Sequence, residues 1–296
     1  MIRLSTLFGF RTSVKRLVNA EFARNNSSLA SGKLLRSERN GLLCLTYSNE
    51  RLKNATDFEV YNTVSEQLRM ASTDDSVKAV MFRGKGDFYS SGIDLSSFLP
   101  YFSSANKETL LKQSRSSIEG YVSAFIDFPK PIIAAVNGPA YGIAVTTLAL
   151  KDIVVCADTA VFQTPFSIHG FTAEGCSSVT FPQIFGFATA NQLLMLSEII
   201  NASQALHYGL VSKVFPVAKF DNEVEKLIFG DNGMLTSHSL ETIMTTKALT
   251  KNEEFKQKLR AANKAECDTL EKLWTSPDFE ARVQTFFEKK KQKQKM

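Results

Sequence analysis

The sequence predicts an α/β body followed by a helical C-terminal subdomain. Three observations lead there. Short apolar runs of strand character alternate with stretches of helical spacing from residue 41 to residue 215. Two glycine-containing turns stand at strand-to-helix transitions. From Asp221 onward the pattern is helical and polar. Alternation of this kind builds a sheet covered by helices, and a helical run after it forms a separate layer.

The elements follow in order. Gly41–Tyr47 and Val77–Arg83 read as short buried strands. Between them, Phe58, Tyr61, Val64 and Leu68 recur at helical spacing over 56–71, with Thr56 or Asp57 as the cap. Such a unit implies a right-handed parallel crossover. Residues 107–128 read as a longer helix, 131–136 as a third strand, and the chain from Gly142 as a helix. Segments 152–156 and 161–163 are short strands; 191–197 and 203–208 are helical; 213–215 is an edge strand. Helical segments at 235–249, 253–273 and 277–287 complete the chain. The resulting division is a leader at 1–33, an α/β core at 34–235, a helical subdomain at 236–287 and a basic tail at 288–296.

The overall charge of +5 hides an uneven distribution. Residues 1–37 hold seven basic residues and one acid, and residues 288–296 hold five Lys and one acid. Without these ends the body carries −5, so a basic nucleic-acid-binding face is not supported. The Lys-rich tail reads as a solvated end. Arg3, Arg11, Lys15, Arg16 and Arg24 alternate with Leu, Phe and Val, and no acid precedes Glu21. That composition suits a mitochondrial presequence, with an N-terminal arm as the other reading. The terminal Lys-Gln-Lys-Met is not a peroxisomal Ser-Lys-Leu address. A mitochondrial matrix location is therefore expected, with a peroxisomal one as the alternative.

Cys44, Cys156, Cys176 and Cys267 show no close pairing and read as reduced thiols. His169, His207 and His238 lack metal-ligand spacing. Pro131 to Leu150 is uncharged, yet Asn137-Gly-Pro breaks it into a strand and a helix, so no stable membrane insertion is expected.

The candidate chemistry lies in three segments. The first is Gly84-Lys-Gly-Asp-Phe-Tyr-Ser-Ser-Gly-Ile-Asp-Leu95, and the second is Asn137-Gly-Pro-Ala-Tyr-Gly-Ile-Ala144. Glycine lets the backbone turn sharply and approach a ligand closely. The residue after it, at a helix start, presents an unpaired N–H. Two such groups aimed at one point would stabilise charge developing on a carbonyl oxygen. Either turn alone reads equally well as an ordinary turn. The third segment is Thr164-Pro-Phe-Ser-Ile-His-Gly-Phe-Thr-Ala-Glu-Gly-Cys-Ser-Ser178. Taken by itself, its Glu174 reads as a first-turn residue favoured by a helix dipole.

Together these segments resemble the crotonase (enoyl-CoA hydratase/isomerase) superfamily, from about Leu34 to Phe287. Lys53-Asn54-Ala55 is similar to the element that closes the family's first strand. The resemblance implies a crotonase-like (ClpP/crotonase) spiral of β-β-α units. It places the oxyanion donors on the N–H groups of Ile93 and Ile143. The third segment resembles the Δ3,Δ2-enoyl-CoA isomerase branch, with Ala173 in place of its Pro and Glu174 on its base; Asn263-Lys-Ala-Glu-Cys-Asp and Leu273-Trp-Thr-Ser are also similar to that branch. No acyl-CoA-binding domain, which animal members of the branch often carry before this body, is expected here. The two carboxylates of hydratases fall on Thr146 and Phe166, which removes the means of activating water. The implied reaction moves a 3-enoyl-CoA double bond to the 2-trans position through one acid, in β-oxidation of unsaturated fatty acids. Hydratase activity and a non-catalytic acyl-CoA-binding module are the alternatives.

By the same resemblance Lys53, Asn54, Ser90, Ser91, Gly92, Asp94, Gly142, Phe166 and Phe171 belong to the substrate site. Asp94 is expected to fix its loop through backbone hydrogen bonds, and His169 reads as a structural side chain with pocket lining as the other reading. The apolar lining, Phe166 and Phe171 included, is expected to raise the Glu174 pKa. No metal or redox cofactor is implied, since coenzyme A is part of the acyl thioester substrate. Family members assemble as trimers or dimers of trimers, and the same is expected here.

Overall fold

A computed structural model describes residues 27–294. Of the candidate leader, residues 1–26 lie outside the described residues, as do Lys295 and Met296 of the tail.

The main sheet has seven strands in the order β1-β2-β3-β4-β5-β7-β10. These are β1 (Ser27–Leu29), β2 (Leu34–Arg39), β3 (Leu42–Tyr47), β4 (Ala79–Gly84), β5 (Ile132–Val136), β7 (Ile153–Ala157) and β10 (Lys213–Phe215). The β1/β2 and β2/β3 pairs are antiparallel, and every later pair is parallel. A second sheet holds β6 (Ala140–Tyr141), β8 (Val161–Gln163) and β9 (Ile199–Asn201) in the order β6-β8-β9.

The parallel strands carry apolar side chains on both faces, as strands covered on both sides do. Leu43, Leu45 and Tyr47 of β3, with Val80 and Phe82 of β4, face the larger core. Their neighbours Leu42, Cys44, Ala79 and Met81 face a smaller one. The Phe58–Thr73 and Lys107–Asp127 helices contribute to the larger core, and Phe220, Val224 and Ile228 of the Phe220–Phe229 helix to the smaller. Asp57 caps the first of these helices by accepting the Val60 N–H at 3.0 Å.

Four elements differ from the sequence reading. Residues 34–39 form β2, joined to β3 through Asn40 and Gly41, which both have positive φ. Asn-Gly is the signature of a tight hairpin turn, so this signal was present. Residues 27–33, assigned to the leader, begin with β1 paired to β2. The helix expected at 191–197 runs over Ser177–Leu196, interrupted at Gly186 (φ 72°) and containing Pro182. Its apolar residues lie around the whole helix, which hides the 3.6-residue period. Strand β9 at 199–201 was read as a connection. Among the described residues, no helix is long and apolar enough to cross a membrane.

Phe82 is fully buried against Tyr47 and Phe125. Phe82→Ala is expected to lower unfolding free energy by about 3–5 kcal/mol. Met70 is 50% exposed, and Met70→Ala should change it by less than about 0.5 kcal/mol. Denaturant titration of both variants checks the contrast.

Candidate active site

Strands β4 and β5 are parallel neighbours, and the loops leaving them stay paired. The Tyr89 N–H donates to the Pro139 carbonyl at 3.1 Å, and the Tyr141 N–H donates to that of Ser90 at 3.0 Å. These bonds form a parallel bridge between Ser90 and Ala140. Ile93 and Ile143 each lie three residues beyond that bridge. The two loops are still in contact just before them: a Cβ on Gly92 (φ 80°) would lie 2.7 Å from the Tyr141 oxygen and 3.8 Å from the Gly142 Cα. Only glycine lets the two backbones approach so closely.

Both amides are free. Ile93 bridges Thr56 in parallel, but the bonds belong to its neighbours. Thr56 donates to the Gly92 carbonyl at 2.8 Å, and Asp94 donates to that of Thr56 at 2.7 Å. In a parallel bridge the middle residue turns its own N–H away from that partner. Ile143 opens the Ile143–Thr146 helix after Gly142, where the first N–H groups lack intrahelical acceptors. Among the described residues neither amide finds a backbone acceptor.

A set of clamps holds these loops. Lys53 and Asn54 are both left-handed, with φ of 55° and 57°. The carbonyls of Lys53 and Asn54 accept the Ser91 N–H and the Ser90 hydroxyl at 2.9 and 2.8 Å, and the Ser91 hydroxyl donates to Leu52. The buried Asn54 amide donates to the Lys85 and Phe88 carbonyls, both at 2.8 Å. Asn137 accepts the Gly84 N–H at 2.8 Å and donates to the Gly86 carbonyl at 2.8 Å. Asp94 accepts the Ser96 N–H at 3.0 Å and so caps the short helix 95–98. The Lys53 ammonium lies over the Phe88 ring, 4.9 Å from its centroid.

Glu174 is buried at 4% exposure. Among the described residues no hydrogen bond to its carboxylate is formed, and burial pushes its pKa up to about 8, with the negative charge of Glu266 as a second cause. Tyr61 and Tyr121 feel its charge and stack on each other at 4.5 Å. Tyr61 reaches the first loop through the Thr56 hydroxyl at 3.1 Å, and Thr56 pairs with Ile93. The second loop is reached through Gly175, where a Cβ would lie 2.5 Å from the Thr146 hydroxyl, on the helix that Ile143 opens. The acid thus shares neighbours with both donors.

Thr146 is fully buried, and its hydroxyl lies 3.4 Å from the Ile143 carbonyl oxygen. Phe166 is buried with its ring edge 3.9 Å from where a Gly142 Cβ would sit. Phe171 packs edge-on against Phe98 and Phe279. His169 packs edge-on against Phe286, and burial with the nearby Arg282 charge lowers its pKa. Among the described residues no group of three His, Cys, Asp or Glu side chains could hold a metal ion. The sequence reading missed Tyr61 as a neighbour of the acid, along with Tyr121 and Glu266. Tyr61 was legible only as a helix-face residue.

A fold of this kind, with two closely packed glycine-containing loops beside the buried, unbonded carboxyl of Glu174, defines a crotonase-type site. The chain belongs to the enoyl-CoA hydratase/isomerase family, whose sequence pattern matches residues 37–295. It is similar to enoyl-CoA delta isomerase 2 of Rattus norvegicus, at 39% identity over 261 residues, 88% of this chain and 64% of that protein. It is also similar to enoyl-CoA delta isomerase 3, peroxisomal, of Mus musculus, at 38% over 237 residues, 80% of this chain and 72% of that protein. Among solved structures, the enoyl-CoA hydratase/isomerase of Pseudoalteromonas atlantica T6c superposes with a TM-score of 0.76 at 30% identity, covering 87% of this chain and 97% of that one. The chain thus spans just under two thirds of the length of the rat relative.

A carboxyl with a raised folded-state pKa stabilises the fold only while protonated. For Glu174 that contribution is complete below its ordinary value of 4.5 and is lost as the pH rises through about 8. Glu174→Gln should therefore match the parent near pH 4 and exceed it at pH 9, by on the order of a few kcal/mol. Thermal unfolding at the two pH values measures the difference.

Proposed function

We propose that the chain is a Δ3,Δ2-enoyl-CoA isomerase acting on 3-cis- or 3-trans-enoyl-CoA in β-oxidation of unsaturated fatty acids. The observation that carries this reading is the single buried, unpaired carboxyl of Glu174 beside the two paired loops. Thr146 and Phe166 occupy the two hydratase acid positions, which leaves nothing to activate water there. The similarity to proteins named enoyl-CoA delta isomerase points the same way.

In this reading the thioester oxygen accepts hydrogen bonds from the N–H groups of Ile93 and Ile143. Ionised Glu174 removes a proton from C2. The C2–H electron pair moves toward the carbonyl, and negative charge builds on the thioester oxygen. The donors bind that charge more strongly than they bind the ground-state carbonyl, which lowers the barrier. One such donor is worth about 3 kcal/mol. The dienolate then takes the same proton back at C4, and the product is the conjugated 2-trans-enoyl-CoA. A pKa near neutrality suits a group that must act first as base and then as acid. The acid must therefore lie over one face of the acyl chain, within reach of both carbons.

The CoA portion would meet Lys53, Asn54 and the Ser90–Asp94 loop. The acyl chain would run along Phe166 and Phe171. The basic composition of residues 1–26 supports delivery to the mitochondrial matrix, and the mouse relative's name supports a peroxisomal site as the alternative. The family resemblance supports a homotrimer or dimer of trimers, and the exposed Phe187, Met195, Leu196 and Ile199 are apolar surface that such an assembly would cover.

Conjugation of the double bond adds ultraviolet absorbance, so a 3-enoyl-CoA assay reads the reaction directly. The parent chain should generate the absorbance, and Glu174→Gln should reduce kcat by about 10²–10⁴-fold. An unchanged rate in that variant would overturn the assignment. The rate of the parent is expected to climb with pH until Glu174 is ionised, with the midpoint near 8 in kcat/KM.

A further inference from the structure

Directly after Glu174 the backbone makes a turn that few residues tolerate. Gly175 and Cys176 are both left-handed, with φ of 68° and 63°. Gly175 has no room for a side chain against Thr146 and Thr147. Cys176 has a Cβ, so its left-handed conformation costs about 1 kcal/mol or more and persists only if its surroundings fix it. The Ser177–Leu196 helix then begins, with its first amides lacking intrahelical acceptors.

One side chain from elsewhere in the sequence meets both needs. Glu266, on the Glu253–Trp274 helix, accepts the Cys176 N–H at 2.7 Å and the Ser178 N–H at 2.8 Å, one on each carboxylate oxygen. It is 5% exposed. The Ser177 hydroxyl closes the turn from the other side, donating to the Glu174 carbonyl at 2.8 Å. A helix N-terminus favours a negative charge at this place. Asn263, one turn earlier, ties the same helix to the Lys107–Asp127 helix through the Glu119 carbonyl at 3.0 Å.

We propose that Glu266 is a positioning residue: by holding the amides of Cys176 and Ser178 it fixes the turn that aims Glu174, and it sets a second negative charge behind that acid. This rests on the isomerase reading for its kinetic consequences and on geometry alone for the placement. The titratable groups coupled electrostatically to Glu174 are Tyr61 and Tyr121 from two helices, and Glu266 and Cys267 from a third. Among the described residues no cation offsets either carboxylate. Burial raises the Glu266 pKa, and the hydrogen bonds from Ser178 and the Cys176 amide offset part of that rise, whereas the Glu174 carboxyl has no such bonds to offset its own. A like charge nearby disfavours ionisation, which keeps Glu174 able to donate at C4.

The test compares Glu266→Gln and Glu266→Asp with the parent chain. Two readouts are needed: kcat and KM for 3-enoyl-CoA across pH, and the ionisation of Glu174 without substrate. The second comes from carboxylate infrared bands that disappear in Glu174→Gln. Glu266→Gln keeps the size but loses the charge and one acceptor. Its kcat should fall about tenfold or more with KM within about twofold, and the Glu174 midpoint should drop by about one pH unit. Glu266→Asp keeps the charge but is one methylene short of spanning both amides. Its kcat should fall while the Glu174 midpoint stays within about half a unit of the parent.

An unchanged kcat in either variant overturns the positioning role. An unmoved or raised Glu174 midpoint in Glu266→Gln overturns the charge role. If Glu266→Gln does not fold, Glu266→Asp decides alone: a parental kcat refutes the proposal and a reduced one at a parental midpoint supports it. If the parent itself fails to isomerise 3-enoyl-CoA, the isomerase reading falls, and the infrared midpoints still decide whether Glu266 governs Glu174.

Discussion

The parallel pairing of two loops beyond the ends of two parallel strands is the constraint from which the site follows. Adjacent strands β4 and β5 end side by side, and their loops remain hydrogen-bonded at Tyr89, Ser90, Pro139 and Tyr141. That pairing, and not any side chain, brings Gly92 against Tyr141 and Gly142, the residues that precede Ile93 and Ile143. It works only because Gly92 and Gly138 leave room where a Cβ would strike the opposite backbone, and Gly84 leaves room for its own loop to fold back at Phe88 and Tyr89. The side-chain amides of Asn54 and Asn137 then take up the loop carbonyls that no ladder satisfies. If the amides of Ile93 and Ile143 serve as donors as proposed, their placement is built into the sheet, which suits a role requiring little reorganisation during reaction.

The acid is positioned by different means. Glu174 sits on a connection and depends on tertiary contacts for its aim. Tyr61 and Tyr121, stacked on each other, are near enough to feel its charge. The turn behind it is strained and is held by Glu266 from a helix almost a hundred residues later. Burial raises its pKa toward the range where one group both removes and returns a proton. The fold pays for this with a carboxyl that resists ionisation, a common pattern where stability and chemistry compete.

Much of this was legible in the sequence. The parallel strands showed as apolar runs because both faces are covered, and the Phe58–Thr73 helix showed through its spacing and its Asp57 cap. Glycine positions marked both loops, since close backbone approach leaves a residue signature. The acid at 174 was legible only through the resemblance of its segment. Glu266 lies in the Asn263–Asp268 segment that resembles the isomerase branch, but its role was not legible: a Glu on a polar helix looks like a solvated face until the helix is docked. The long helix after Glu174 was read short because its apolar residues, exposed Phe187, Met195 and Leu196 among them, lie all round it and hide the amphipathic period. The β2–β3 hairpin was overlooked although Asn40-Gly41 marks it.

The account stands on the amides of Ile93 and Ile143 acting together on one oxygen. The most direct measurement is the infrared stretching frequency of a ¹³C-labelled thioester carbonyl in 3-enoyl-CoA bound to Glu174→Gln, which holds substrate without turning it over. Two donors polarise the carbonyl, so the band should move clearly below its position for the free thioester in water. A band at or above the free-thioester frequency would mean that the amides do not meet the carbonyl, and would contradict the account.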